Sequence, residues 1–548
     1  MKFFTYILTA TLVLLSAIAV SMCTKDDTET HTIIVQTTRG KIRGYEKDSV
    51  LVFKGIPYAR AARYKRPQST ASWDTIMDCT EYGDVALQTN LLSSSPYNPM
   101  DTMRTMSEDC LNLNIWTSVR KDENLRPVMV WLHGGGFNYG SAHQNRTIEG
   151  SYLADKETVV VVTLNHRIGV FGFLDLSSYG EEYKHTGNLG MLDIVSALWW
   201  LRDNVSTFGG DPNNITLFGE GAGGVKVLTL LAMPIAKGLF HKAIVQSGML
   251  EGMNQQLKYS QQVGIRTIKE AGVEGPEDLK TLSFDSIDAA AERAIQQLRN
   301  ESNLPKMDKI RLAPVAGTQL LPQPIYSDSA IFASADIPIV IGSNLSDIVD
   351  FDKNPNMATI ERENVHHLSN SEIDRRMKEK YGDLSNKVKQ EFAFAHPDRS
   401  PGEALTVDTQ VRSLVMRMAH LLARRGNAPV YVYLFTWTSP LHDGYALSFR
   451  SSEIPFVFGN YEMADFSRAG GNEARRLSRI MARCWASFAR SGNPNNSITP
   501  FWRRINLGEG RTLIFDSDVH LEGYNDLPLI RLFHKETVKD IEIATQYR

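Results

Sequence analysis

Ile215-Thr216-Leu217-Phe218-Gly219-Glu220-Gly221-Ala222-Gly223 joins a short apolar, β-rich run to a turn of alternating glycines, and a helical stretch begins at Gly224. Glycine at alternate positions suits a sharp strand-to-helix turn, because residues without a Cβ tolerate strained backbone and let neighbouring chain approach closely. The alternation continues on both sides. Val128-Met129-Val130-Trp131-Leu132 and the run from Val159 to Leu164 are continuous apolar segments of the kind buried in a parallel sheet. Met191 to Val205 reads as helix. Leu477, Ile480, Met481, Cys484, Trp485 and Phe488 recur at helical spacing, which puts Cys484 in a core stripe as a buried thiol. Strands alternating with helices predict an α/β fold with a largely parallel sheet covered on both faces. More polar, helix-rich stretches at about 255–303 and 358–425 predict insertions above that sheet.

The 548 residues are 42% hydrophobic and 22% charged, with 59 basic against 62 acidic side chains and a net charge of −3. That balance excludes a charge-rich disordered chain and a nucleic-acid binder working through a strongly basic surface. Four cysteines are too few for a disulfide-built scaffold, and none has the C-x-x-C spacing of a zinc site. Adjacent His366 and His367 point in different directions and read as solvent-exposed. Neither a metal nor a cofactor is expected.

The first residues speak to compartment. Met1-Lys2 precedes an uncharged apolar run from Phe3 to Val20, and polarity changes abruptly at Thr24-Lys25-Asp26-Asp27. This reads as an export signal over residues 1–22, followed by a polar tether at 23–31 and one large domain at 32–548. Val20-Ser21-Met22-Cys23 resembles a bacterial lipobox with Cys23 as the lipid-bearing residue, although Met22 is larger than usual there. Ala17-Ile18-Ala19 suits an ordinary signal peptidase instead, and an uncleaved run could span a bilayer. The cysteine that ends the run and the acidic stretch after it favour the lipoprotein, anchored to an outer membrane or cell surface; otherwise the protein is periplasmic or secreted.

Several segments carry a resemblance to a known family. Phe53-Lys54-Gly55-Ile56-Pro57-Tyr58-Ala59, Glu108-Asp109-Cys110-Leu111-Asn112-Leu113-Asn114, His133-Gly134-Gly135-Gly136-Phe137, Asn165-His166-Arg167-Ile168-Gly169 and Phe208-Gly209-Gly210-Asp211-Pro212 come in the order found in type B carboxylesterases. Gln246-Ser247-Gly248 and Glu453-Ile454-Pro455-Phe456-Val457-Phe458-Gly459 continue the match, which runs from about Val35 to Trp502. The resemblance implies an α/β-hydrolase fold with helical insertions and with catalytic groups on loops at the carboxyl ends of strands. It also implies that Cys79 and Cys110 form a disulfide, which export permits.

The catalytic positions depart from that family. Its nucleophile elbow reads G-x-S-x-G, and here the serine position is Gly221, which has no oxygen to attack a carbonyl. The family's base, a histidine three residues before the glutamate of the Glu453-Ile454-Pro455 segment, corresponds to Arg450, which stays protonated and cannot act as a base. The glycine three residues earlier corresponds to Leu447. His442, eleven residues before Glu453, could supply a base only if the loop were rebuilt. Asp347 resembles the acid that orients the histidine, and with no histidine present it is expected to pair with Arg450. By resemblance the oxyanion-hole donors are the N–H groups of Gly135, Gly136 and Ala222.

An exported carboxylesterase homologue without an intact triad follows: a pseudoenzyme that binds a small carboxylate or ester-like ligand, or a protein partner, in the manner of cholinesterase-like adhesion proteins. The alternative is an active carboxylic ester hydrolase with a rebuilt site in which Glu220 activates a water beside Gly221. Membrane contact is expected only through the lipid.

Overall fold

The computed structural model describes residues 31–89, 95–97, 105–119, 124–248, 254–301, 310–348, 352–424, 428–506 and 510–546. The expected export signal and Cys23 lie outside the described residues. Thirteen described strands form one sheet. They are β1 (His31–Gln36), β2 (Lys41–Lys47), β3 (Val50–Pro57), β4 (Ile76–Asp78), β5 (Asn112–Ser118), β6 (Arg126–Leu132), β7 (Val160–Leu164), β8 (Gly210–Glu220), β9 (Lys242–Gln246), β10 (Ile339–Asn344), β11 (Val430–Phe435), β12 (Thr512–Phe515) and β13 (His520–Glu522). The spatial order is β1-β2-β3-β5-β7-β6-β8-β9-β10-β11-β12-β13, with β4 beside β2. From β7 to β12 every neighbouring pair is parallel, whereas β5 runs antiparallel to β7 and β13 antiparallel to β12.

The apolar runs become the central strands because both faces of a parallel sheet are covered. Successive side chains alternate faces. Val128, Val130, Leu132, Ile215, Leu217, Ala243 and Val245 enter one core. Met129, Trp131, Phe218, Ile244, Val340 and Tyr433 enter the other. Helices α1 (Leu189–Asn204), α2 (Ala222–Ala232) and α3 (Gln410–Arg424) cover the first face. Helices α4 (Ile454–Phe458) and α5 (Gly471–Ser491) cover the second, with Cys484 buried in α5 as its spacing predicts. The chain therefore has the α/β-hydrolase architecture.

Two expectations are corrected. The stretch at 358–425 is not an insertion throughout: Ile373, Met377, Val388 and Phe392 make a separate small core, but α3 packs Val411, Leu414, Val415 and Met418 into the main one. Cys79 and Cys110 form no disulfide and stand as free buried thiols. Each is fixed by different neighbours. The Cys79 N–H donates to Arg43 O and its carbonyl accepts from Lys54, which tie it to β2 and β3. The Cys110 carbonyl accepts from the main chain and side chain of Asn112 at the start of β5. Burial pushes both thiols up to about 12, so neither supplies a thiolate near neutral pH.

Candidate active site

Parallel pairing sets the site. In the β8–β9 register Glu220 lies opposite Gln246, and in the β9–β10 register Gln246 lies opposite Gly342. The residues that leave these strands at their carboxyl ends, Gly221, Ser247 and Leu345 to Asp347, therefore collect at one edge of the sheet. Main-chain hydrogen bonds pin them there: Gly221 N–H donates to Gln246 O at 2.9 Å, and Ser247 N–H to Gly342 O at 2.8 Å.

Gly221 has φ 57° and ψ −122° and caps α2. A Cβ built on it meets no atom within 4 Å, so the serine pattern is broken without anything filling the space. The His133–Phe137 segment lies alongside, where a Cβ on Gly134 would stand 3.1 Å from Glu220 O. Gly135 and Gly136 have φ of 94° and 61°. Among the described residues no hydrogen-bond acceptor meets the N–H groups of Gly135, Gly136 or Ala222. Ala222 opens α2, whose first amides carry the helix's positive end.

Arg450 comes from the loop before α4 and reaches two carboxylates at once. Its Nε stands 3.1 Å from Asp347 Oδ1 and 3.3 Å from Glu220 Oε1, neither contact aligned as a hydrogen bond. Its Nη2 donates to Ser247 O at 3.1 Å. The expected Asp347–Arg450 pair is thus present, and Glu220 is a second partner that sequence reasoning missed. Asp347 is wholly buried, Glu220 nearly so, and the Arg450 side chain is 32% exposed. Leu447 keeps φ 55°, so the loop retains the backbone a glycine would adopt freely even though leucine occupies it.

Glu453 braces the cluster from below. It accepts from Gln246 Nε2 at 3.0 Å and from Asn344 Nδ2 at 2.9 Å. Burial raises the carboxyls of Asp347 and Glu453 above their usual range, partly offset by Arg450 at the first and by the Asn344 and Gln246 amides at the second. Burial pushes Glu220 up to about 8, against the pull of Arg450 and with the charges of Glu453 and Asp347 adding to the rise. Asp408, before α3, is pushed up to about 7 by burial and by Asp347.

His442 is not brought to this cluster. Its Nδ1 pairs with Tyr97 OH at 2.6 Å and its carbonyl accepts from Asn364. His367 is exposed and faces Glu361 and Asp443, while His366 is half-buried. No group of three or more His, Cys, Asp or Glu side chains among the described residues is arranged to hold a metal ion.

Sequence reasoning also passed over Lys226, on α2 one turn beyond Ala222. Its signal was a lysine inside an otherwise apolar helix. The side chain is fully buried, and Nζ donates to His133 O at 2.7 Å.

Comparison with known proteins adds to this geometry. The model of the carboxylesterase family matches residues 31–525. The para-nitrobenzyl esterase of Bacillus subtilis (strain 168) is 34% identical over 495 residues, spanning 89% of this chain and 96% of that protein. Human cocaine esterase is 31% identical over 503 residues, spanning 86% and 85%. Among solved structures, an esterase of Clostridium hathewayi described as hydrolysing aliphatic aromatic polyesters superposes with a TM-score of 0.80 at 30% identity, covering 92% of this chain and 99% of that one. A carboxylesterase of Geobacillus stearothermophilus superposes with a TM-score of 0.70 at 30% identity, again covering 92% and 99%.

Proposed function

The chain belongs to the carboxylesterase family, and from that membership we propose that it is an exported, lipid-anchored member that binds a small carboxylate- or ester-bearing ligand without acyl-enzyme turnover. The observation that carries this reading is the pair of losses at the elbow: Gly221 offers no nucleophile, and an arginine held beside Asp347 and Glu220 stands where a base is needed. Magnitudes favour it. Enzymes of this kind accelerate hydrolysis by at least about 10⁶-fold. An oxyanion hole and binding alone retain about 10³ to 10⁴. The unpaired amides of Gly135, Gly136 and Ala222 remain suited to a carbonyl or carboxylate oxygen.

The test pairs an assay with calorimetry. Wild-type protein is expected to turn over short-chain nitrophenyl esters no faster than a residual rate, and to bind carboxylates in a manner lost in Arg450→Ala. Binding unchanged by that substitution removes the pocket from the reading and leaves partner binding through the helical insertions. Labelling with palmitate, compared with Cys23→Ser, tests the anchor.

A second reading is favoured by a specific feature. Glu220 Oε1 is buried without an aligned hydrogen bond one residue before the open position at Gly221, and burial pushes its carboxyl up to about 8. A water in that space with Glu220 as general base would make a single-displacement ester hydrolase, consistent with the esterase activity named for the relatives. Substantial wild-type turnover abolished by Glu220→Gln selects this reading.

A further inference from the structure

Arg450 is the cation on which the chemistry of the cluster turns. Carboxylates approach it from several elements: Glu220 at the end of β8, Asp347 after β10, Asp408 before α3 and Glu453 at the start of α4. Glu453 is occupied by Asn344 and Gln246, and Asp408 accepts from the N–H groups of Gln410 and Val411. Asp347 Oδ2 accepts from the Asn344 N–H, which leaves Asp347 Oδ1 and Glu220 Oε1 to share one guanidinium nitrogen. The phenols of Tyr139 and Tyr433 also lie near Glu220, and burial holds both protonated. Among the described residues no hydrogen bond engages Arg450 Nη1, and the side chain is partly exposed.

If Glu220 and Asp347 are both ionised, their two negative charges exceed the single positive one before any ligand arrives. A carboxylate placed on the Gly135, Gly136 and Ala222 amides would add a third in a low-dielectric site, where like charges repel strongly. We propose that the pocket takes up a carboxylate ligand together with one proton, carried on Glu220, because ionised Glu220 and the ligand compete for Arg450. This deepens the binding reading above and rests on it. With Glu220 neutral, Asp347 alone balances Arg450, and the free amides and Nη1 are available to the incoming anion. Ester ligands bring no charge and need no proton. The site therefore discriminates between an ester and its acid by pH.

The experiment uses the purified full-length chain in detergent, with phenylacetate as the anionic probe and methyl phenylacetate as its neutral counterpart. With Glu220 titrating near 8, phenylacetate affinity is expected to fall about thirtyfold between pH 7 and pH 9.5, while the methyl ester is unaffected. Calorimetry at pH 9 in two buffers of different ionisation heat is expected to show uptake approaching one proton per anion bound. Glu220→Gln is expected to abolish both the pH dependence and the uptake; if that variant does not fold, the buffer comparison on wild type decides. Phenylacetate binding that is lost in Arg450→Ala but is independent of pH and takes up no proton overturns the inference alone, as does binding of the ester without the acid. Absence of binding by either probe, or binding unaltered in Arg450→Ala, overturns the inference and the binding reading together.

Discussion

Lys226 Nζ and the carbonyl oxygen of His133 meet at 2.7 Å behind the glycine loop, joining α2 to the segment that carries Gly135 and Gly136. Beside them the rings of His133 and His166 stack with centroids 4.8 Å apart. Burial holds the Lys226 amine well below its usual range, and burial together with the charge of Lys226 holds both imidazoles well below theirs.

The depressed amine of Lys226 costs stability, because the unfolded chain holds that proton more tightly than the folded chain does. Lys226→Met gives up a hydrogen bond of about 1 kcal/mol but removes about 1.4 kcal/mol for each unit of the depression. We expect the variant to melt above wild type at pH 7. The gap should close towards pH 10, where the unfolded amine also loses its proton. Thermal unfolding at the two pH values checks this; a variant less stable at pH 7 refutes it.

Gly221 and Arg450 make a second pair of substitutions informative. A serine at 221 enters open space, and its cost is the left-handed backbone, about 1–2 kcal/mol. Gly221→Ser should therefore fold with a slightly lowered melting temperature and remain a poor esterase. Adding Arg450→His beside Asp347 should raise nitrophenyl ester turnover about 10²- to 10⁴-fold over the single variant. Equal rates for the two variants would show that Asp347 does not orient the new histidine.

Glu220 and Asp408 should lower stability as the solution becomes alkaline. Glu220 and Asp408 are raised in the folded chain, so between their unfolded and folded titrations the native state binds more protons and rising pH favours unfolding. Below about pH 6.5 the buried, neutral His133, His166 and His396 oppose this trend, since the unfolded chain protonates them. At higher pH Lys226 and Lys242 oppose it as well, because their depressed amines release protons that the unfolded chain keeps, so the contribution of the two carboxyls is read as a difference between wild type and variant. Urea unfolding of wild type, Glu220→Gln and Asp408→Asn from about pH 6.5 to 8.5 tests the point: with each substitution stability should fall less, or rise more, with pH than in wild type.

Cys79 and Cys110 predict indifference to reductant. As free thiols with strongly raised titration, they should leave the melting temperature unchanged by dithiothreitol and should react with maleimide only after unfolding. A reductant-induced loss of about 3 kcal/mol, the scale for a bridge closing such a loop, would instead restore the disulfide.

Much of this fold was legible because its signals are local. Val128 to Leu132 and Val159 to Leu164 became β6 and β7 within a residue or two, and the run from Met191 became α1. The ordered motifs carried the rest of the architecture. Pairing of Arg450 with Asp347 could be foreseen from charge alone. Contact of Arg450 with Glu220 could not, since it depends on how a loop 230 positions downstream returns over the end of β8. Cys79 and Cys110 failed for a related reason: order along the chain transfers readily from a family, but the mutual placement of two side chains does not. Leu447 shows the converse, a changed residue on an unchanged backbone.

The hydrogen bond from Gly221 N–H to Gln246 O holds the elbow through the adjacent strand rather than through any side chain at 221. The position is consequently an empty socket on a rigid mount. A cysteine, a serine or a synthetic nucleophile installed there inherits its aim from the sheet, so reactivity can be exchanged at this point while the surrounding architecture stays in place.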